Sequence, residues 1–253
     1  MTLIPRVIPT LLLDTDVLVK TVRYADPVYI GDPVNAISIF NRFEVDEIVL
    51  LDISATPDGR KPSFQLIEQL AAECWVPLTY GGGIRDIEDV RRILGSGVEK
   101  VVLNTVVADD PAFVTRVADI FGSQAVVVSV DVRRVGLGGQ EAFVAHGTRS
   151  LGVDPVAHAR RAEALGAGEI LLNSIDRDGV MQGYDTDLIR AVAAEVGVPV
   201  VACGGAGERA HLIDAIRAGA SAVAAGSIFV YRGPTRSVLV NFPDRAELEA
   251  MLG

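Results

Sequence analysis

A single (β/α)8 TIM barrel with a twofold half-barrel repeat is the α/β fold that the sequence predicts. Three observations point to it: eight short apolar runs, helix-period segments between them, and a repeat that halves the chain. The strand candidates are Val7–Leu13, Glu47–Ser54, Val76–Gly81, Lys100–Asn104, Ala125–Val132, Glu169–Ser174, Val198–Cys203 and Ala222–Gly226. Val126-Val127-Val128 and Val198-Pro199-Val200-Val201 are apolar on both faces, which suits parallel strands covered on both sides.

Helix starts fall in the gaps. Asp32-Pro33, Asp110-Pro111 and Asp154-Pro155 each offer a capping carboxylate before a proline at the first helical position. Ser63 precedes Leu66, Ile67 and Leu70, and Asp86 precedes Val90, Ile93 and Leu94, both with apolar residues at helical spacing.

The repeat has one offset. Glu47-Ile-Val-Leu-Leu-Asp52 matches the run from Glu169 to Asp176, and 169 − 47 = 122. Val76-Pro77 with Gly81-Gly82-Gly83 matches Val198-Pro199 with Gly204-Gly205, and 198 − 76 = 122. Val101 to Thr105 matches Val223 to Ser227, and 223 − 101 = 122. One domain over residues 1–253, made of half-barrels at about 1–122 and 123–253, follows. A doubly wound open sheet uses the same alternation but predicts no halving.

Composition narrows the function. The chain has 253 residues, 49% hydrophobic and 22% charged, enough to bury a large core. Its 23 basic and 33 acidic residues give a net charge of −10, which argues against nucleic acid or anionic membrane as partner. Small phosphorylated ligands remain open, because backbone N–H groups can hold them. The longest uncharged stretch, Ala218 to Tyr231, is too short to span a bilayer. Met1 to Arg6 carries no secretory pattern, and Cys74 and Cys203 suggest neither disulfide nor zinc, so a cytoplasmic protein without metal or cofactor is expected.

In a barrel of this kind the functional face lies at the C-terminal strand ends. Gly81-Gly82-Gly83 with Asn104-Thr105, and Gly204-Gly205 with Gly226-Ser227, would place two anion cradles there, suiting a substrate with a phosphate at each end. The structural alternative is that these glycines only make tight turns. Asp52, Asp131, Asp176 and Asp178 are the acid–base candidates, with a cap or ion pair the stronger alternative for Asp52. His158 and His211 read as solvated helix positions, and only His146 falls near a strand-end loop.

These motifs resemble the cyclase subunit of imidazole glycerol phosphate synthase over nearly the whole chain. The residues that carry the likeness are Arg6-Val-Ile-Pro9, Gly31-Asp-Pro33, Leu51-Asp52-Ile-Ser-Ala55, Gly81-Gly-Gly-Ile84, Phe121-Gly-Ser-Gln124, Gly166-Ala-Gly-Glu-Ile-Leu-Leu172, Ser174-Ile-Asp-Arg-Asp-Gly179, Gly183-Tyr-Asp185 and Gly204-Gly-Ala-Gly207. The resemblance implies a half-repeated barrel that takes ammonia from a glutaminase partner and combines it with a two-phosphate ribulosyl nucleotide. It assigns Gly83, Asn104 and Thr105 to one phosphate, and Asp178, Gly179, Gly205, Gly226 and Ser227 to the other. Lys20 corresponds to a lysine of the first loop, and Arg6, Glu47, Lys100 and Glu169 to a charged ammonia gate. Those four charges could equally be structural filler for the barrel floor.

Two catalytic aspartates belong to the family pattern. Asp131 matches the one on the fifth strand, but Leu12 stands where the first-strand aspartate is expected. Asp14, two residues on and facing the same side by strand parity, is the candidate replacement. Thr10 and Asn173 replace a family cysteine and threonine.

A subgroup lies closer. Leu18-Val-Lys20-Thr-Val-Arg23, Tyr29-Ile-Gly-Asp-Pro33, Ile39-Phe-Asn41, Phe229-Val-Tyr231 and Val238-Leu-Val-Asn241-Phe-Pro243 resemble the acetamidino-modification proteins of bacterial surface-polysaccharide pathways. That likeness implies ammonia delivery for modifying a sugar, with a phosphorylated or sugar-nucleotide substrate. The histidine-pathway cyclase and a non-catalytic ammonia-conducting scaffold are the alternative readings.

Overall fold

The computed structural model describes residues 4–136, 138–233 and 235–252, so Met1 to Leu3 of the N-terminal reading lie outside the described residues. Its elements are β1 (Arg6–Asp14), β2 (Val17–Val22), β3 (Ala25–Gly31), α1 (Pro33–Arg42), β4 (Ile48–Asp52), α2 (Phe64–Glu73), β5 (Leu78–Gly81), α3 (Ile87–Gly95) and β6 (Lys100–Leu103). Next come α4 (Thr105–Asp109), α5 (Ala112–Phe121), β7 (Val126–Val135), β8 (Gly139–Val144), β9 (Arg149–Ser150), α6 (Pro155–Ala164), β10 (Glu169–Ser174) and α7 (Thr186–Ala193). The chain finishes with β11 (Val200–Cys203), α8 (Arg209–Arg217), β12 (Ala222–Ala225), α9 (Ser227–Val230), β13 (Tyr231–Arg232), β14 (Ser237–Val238) and α10 (Arg245–Leu252).

Eight parallel strands close into a barrel, in the order β1-β4-β5-β6-β7-β10-β11-β12, with β12 returning to β1. All eight expected runs are there, each within a few residues of its expected limits. Period-2 alternation sends one set of side chains inward and the other toward the helices. Ile8, Val49, Val102, Val127, Leu171 and Val201 fill the lumen. Val7, Leu11, Ile48, Leu50, Val101 and Ile170 point outward, against the apolar stripes of the helices. The helices begin where caps are available: Asp32 accepts from Asn35 N, Asp154 from Ala157 N, and Asp86 and Asp89 form a reciprocal capping box.

Several local expectations fail. α5 begins one residue later than expected, with Pro111 and not Asp110 at the cap position; Asp110 accepts from Phe113 N through its carbonyl at 2.9 Å and pairs its side chain with Arg116. His158 is buried on the inner face of α6, beside Pro155, Ala159 and Ala162 at helical spacing. His211 is only partly exposed and accepts from Gly207 N through Nδ1. Two hairpins not expected from the sequence rise from the strand-end face: β2–β3 after β1, and the β7–β8 extension with β9.

Gly82 shows how tightly the strand ends are built. Its φ is +115°, and a Cβ there would lie 2.3 Å from the Asp52 carbonyl oxygen. Gly82→Ala should therefore cost more than about 3 kcal/mol in a urea unfolding experiment. Gly95 ends α3 in open space, and Gly95→Ala should instead add about 0.5 kcal/mol.

Candidate functional site

At the strand starts, four charges close a ring. Lys100 Nζ donates to Glu47 Oε2 at 2.9 Å and to Glu169 Oε2 at 2.8 Å, and Arg6 bridges the same two carboxylates from the other side. Glu47 also accepts from the buried Thr79 hydroxyl at 2.6 Å. Both carboxylates are buried, while Arg6 keeps a third of its side chain exposed. The ring thus faces out through Arg6 and inward to the aliphatic lumen.

At the opposite end a cavity opens between the strand ends. It gathers Lys20, Asp52, Gly83, Asn104, Thr105, Asp131, Asp178, Gly179, Gly205, Gly226 and Ser227, every expected site residue of this face except Asp14 and Asp176. Asp14 ends β1 where the chain turns into β2, opposite Val17, and does not line the cavity. Leu12 does line the cavity and brings no polar atom to it.

The two ends of the cavity are built alike. On one side Gly82 and Gly83 take positive φ, and Thr105 Oγ1 accepts from Ala145 N at 3.0 Å. On the other, Gly204 and Gly205 take positive φ, and Gly205 packs against the Gly183 carbonyl. Lys20 reaches this second end from the β2 strand. Its ammonium donates to the Thr10 carbonyl at 2.8 Å and lies so near Gly226 that a methyl group there would collide with it. Burial holds Lys20 down to about 8, with the Asp178 charge opposing.

Asp131 stands in the middle. It accepts from Ser129 Oγ at 2.7 Å and from Asn104 Nδ2 at 3.3 Å. Burial pushes its carboxyl up to about 6, against the stabilising contacts of Ser129 and Tyr24. Asp52, by contrast, is a loop organiser, accepting from Ser54 N and Ala55 N. Asp176 likewise serves a hairpin, accepting from Arg134 N. Thr10 Oγ1 and Asn173 Oδ1 are buried with no hydrogen-bond partner. Among the described residues no group of three or more His, Cys, Asp or Glu side chains is placed to hold a metal, and no helix is long and apolar enough to cross a membrane.

Tyr24 and His146 were not legible as one unit. Their rings stack at 5.0 Å between centroids, and both line the cavity, Tyr24 from the β2–β3 turn and His146 from the loop after β8.

The sequence pattern of the family described as histidine biosynthesis protein matches residues 6–235. The chain belongs to that family. Among the relatives in the histidine biosynthesis protein family, "Putative imidazole glycerol phosphate synthase subunit hisF2" of Pseudomonas aeruginosa is 50% identical over 245 residues, covering 96% of this chain and 98% of its own. A Leptospira interrogans protein named in the same terms as subunit HisF is 45% identical, covering 98% of each chain. "Imidazole glycerol phosphate synthase subunit HisF" of Metallosphaera sedula is 47% identical over 225 residues, covering 88% of this chain and 89% of its own.

A prediction follows from Asp131. Its carboxyl titrates near 6 when folded and near the usual 3.8 when unfolded, so the folded chain binds the extra proton between those values. The stability this gives is full below 3.8 and lost as pH rises through 6. Asp131→Asn should therefore stabilise the fold at pH 7 by roughly 2 kcal/mol, and the gain should vanish at pH 4. Urea titrations at the two pH values check this; a loss of stability at pH 7 would contradict it.

Proposed function

We propose that this barrel receives ammonia from a glutaminase partner seated under the strand starts. The ammonia serves acetamidino modification of a surface-polysaccharide sugar in the cytoplasm. One contrast carries the reading: the four-charge ring is complete at the floor, while Leu12 occupies the place of an acid at the top. A leucine neither gives nor takes a proton, and loss of such a group typically costs 10²–10⁴-fold in rate. The entrance is thus kept while the imidazole-forming pair is broken.

Membership of the histidine biosynthesis family supports the ammonia-receiving half. Trp75, 81% exposed in the turn before β5, and Phe43, in the turn before β4, offer apolar anchors beside the ring for a docked partner. The substrate is read as a phosphorylated or sugar-nucleotide molecule. One phosphate would lie at Gly83, Asn104 and Thr105, the other at Asp178, Gly179, Gly205, Gly226 and Ser227, with Lys20 adding charge. The chain is read as one domain of two half-barrels: the ring carboxylates and the cradle glycines are both 122 residues apart (169 − 47 and 205 − 83).

A second reading is the imidazole-forming cyclase itself. The 47% identity to the Metallosphaera sedula subunit favours it.

Incubation with ammonium salt and the ribulosyl aminoimidazole nucleotide discriminates the two. Little or no imidazole glycerol phosphate should form, a histidine auxotroph lacking its own cyclase should not be rescued, and deletion of the chain should remove acetamidino groups from the surface polysaccharide. Turnover and rescue matching an authentic cyclase would establish the second reading instead.

A further inference from the structure

The β2–β3 hairpin turns on two residues, Arg23 and Tyr24, with φ of +54° and +63°. Such a turn normally takes Asn-Gly or another small pair, because side chains resist positive φ. Here a long and an aromatic residue occupy it. The turn is tied down by Arg23 N to the Asp178 carbonyl at 2.9 Å and by Arg23 Nε to the Asp176 carbonyl at 3.2 Å. Across the cavity Ala145 and His146 also have positive φ, at +54° and +55°. Two strained turns thus meet in one stacked pair, Tyr24 on His146. Strain concentrated in this way points to function.

What the strain achieves is the placement of one hydroxyl. Asn173 Nδ2 donates to Tyr24 Oη at 2.6 Å, which leaves the phenolic hydrogen free for an acceptor. Asp131 stands opposite Asn173 in the β7–β10 register and lines the same cavity as Tyr24, and its carboxyl lies near enough for the phenol to favour its charged form. Around them, Thr10 Oγ1 and Asn173 Oδ1 are more than nine-tenths buried and have no hydrogen-bond partner, and Asn173 Oδ1 lies beneath Gly204 at the cavity wall. Leu12 lines the same cavity.

We infer that Tyr24 is a second proton-transferring residue of this site, paired with Asp131 and held by Asn173 for the addition of ammonia, while the acid that imidazole closure uses at the Leu12 position stays missing. The inference rests on the ammonia-receiving function proposed above. The step it serves is addition of ammonia to a substrate carbonyl, common to both readings of the substrate. A C–N bond forms and the carbonyl π bond opens; the oxygen takes the Tyr24 proton. Asp131 takes one proton from the attacking nitrogen and returns it to the phenolate. The sum is ammonia plus carbonyl giving a carbinolamine, with both residues restored.

Tyr24→Phe keeps the ring and its stacking and removes only the hydroxyl. Cells lacking the native chain would be supplied with wild-type or variant chain, and both acetamidino content and histidine prototrophy followed. Whichever output the wild-type chain restores, Tyr24→Phe should lower its rate at least about tenfold. Asn173→Ala, which only loosens the phenol, should have a smaller effect. Output equal to wild type from Tyr24→Phe overturns the inference. If the wild-type chain restores neither output, the proposed function fails, and the pair is judged by carbon-13 NMR of the Asp131 carboxyl. Loss of a donor to the charged form should raise its midpoint by about one unit in Tyr24→Phe. An unchanged midpoint overturns the pairing.

Discussion

Lys100 lies between Glu47 and Glu169, and Arg6 closes the circle, so that four barrel strands (β1, β4, β6 and β10) are joined by charge at their starts. Each buried carboxylate depends on both cations, since removing one partner of a buried pair commonly costs 3–5 kcal/mol. A floor built this way fixes strand register more strictly than aliphatic packing would, and it leaves the layer above free to be wholly apolar. Ile8, Val49, Val102 and Val127 make that layer, a lumen in which an ion is heavily disfavoured against a small neutral molecule. The polar groups return only at the strand ends, where the cavity begins.

The upper site inverts the floor. Below, opposite charges neutralise each other; above, Asp131 and Asp178 share a buried cavity with a single lysine, and two acceptors have no partner. Such an arrangement costs stability, the kind of cost that functional sites carry. The β2–β3 hairpin covers the cavity from one side: Thr21 Oγ1 donates to Asp178 at 3.1 Å, and Gly179 lies directly against the Thr21 carbonyl. Lys20 and Tyr24 enter the cavity on this one element, so positioning of charge and of the phenol is coupled to how the hairpin sits.

The barrel was legible because its eight strands are buried on both faces and read as continuous apolar runs. The charged floor and the glycine turns were legible because both recur at a fixed offset. The hairpins were not. Val17–Val22 and Ala25–Gly31 carry no small-residue turn between them, and Arg23-Tyr24 gives no hint of positive φ. Tyr24 was therefore invisible as a cavity residue, although it lines the same cavity as Asp131. His158 was misread for a different reason: the spacing of Pro155, His158, Ala159 and Ala162 marks a buried face, but small residues give that face a weak apolar signal.

Channelled transfer from floor to site is the claim on which the rest depends, and isotope competition tests it most directly. The chain and the proposed glutaminase partner, working together, would be given amide-15N glutamine in a large excess of unlabelled ammonium, and the nitrogen of the proposed acetamidino product analysed by mass spectrometry. The account predicts that the product carries mostly 15N, with the fraction falling toward the bulk ratio when Lys100→Ala opens the ring. Product labelled at the bulk ratio by the wild-type pair would contradict it.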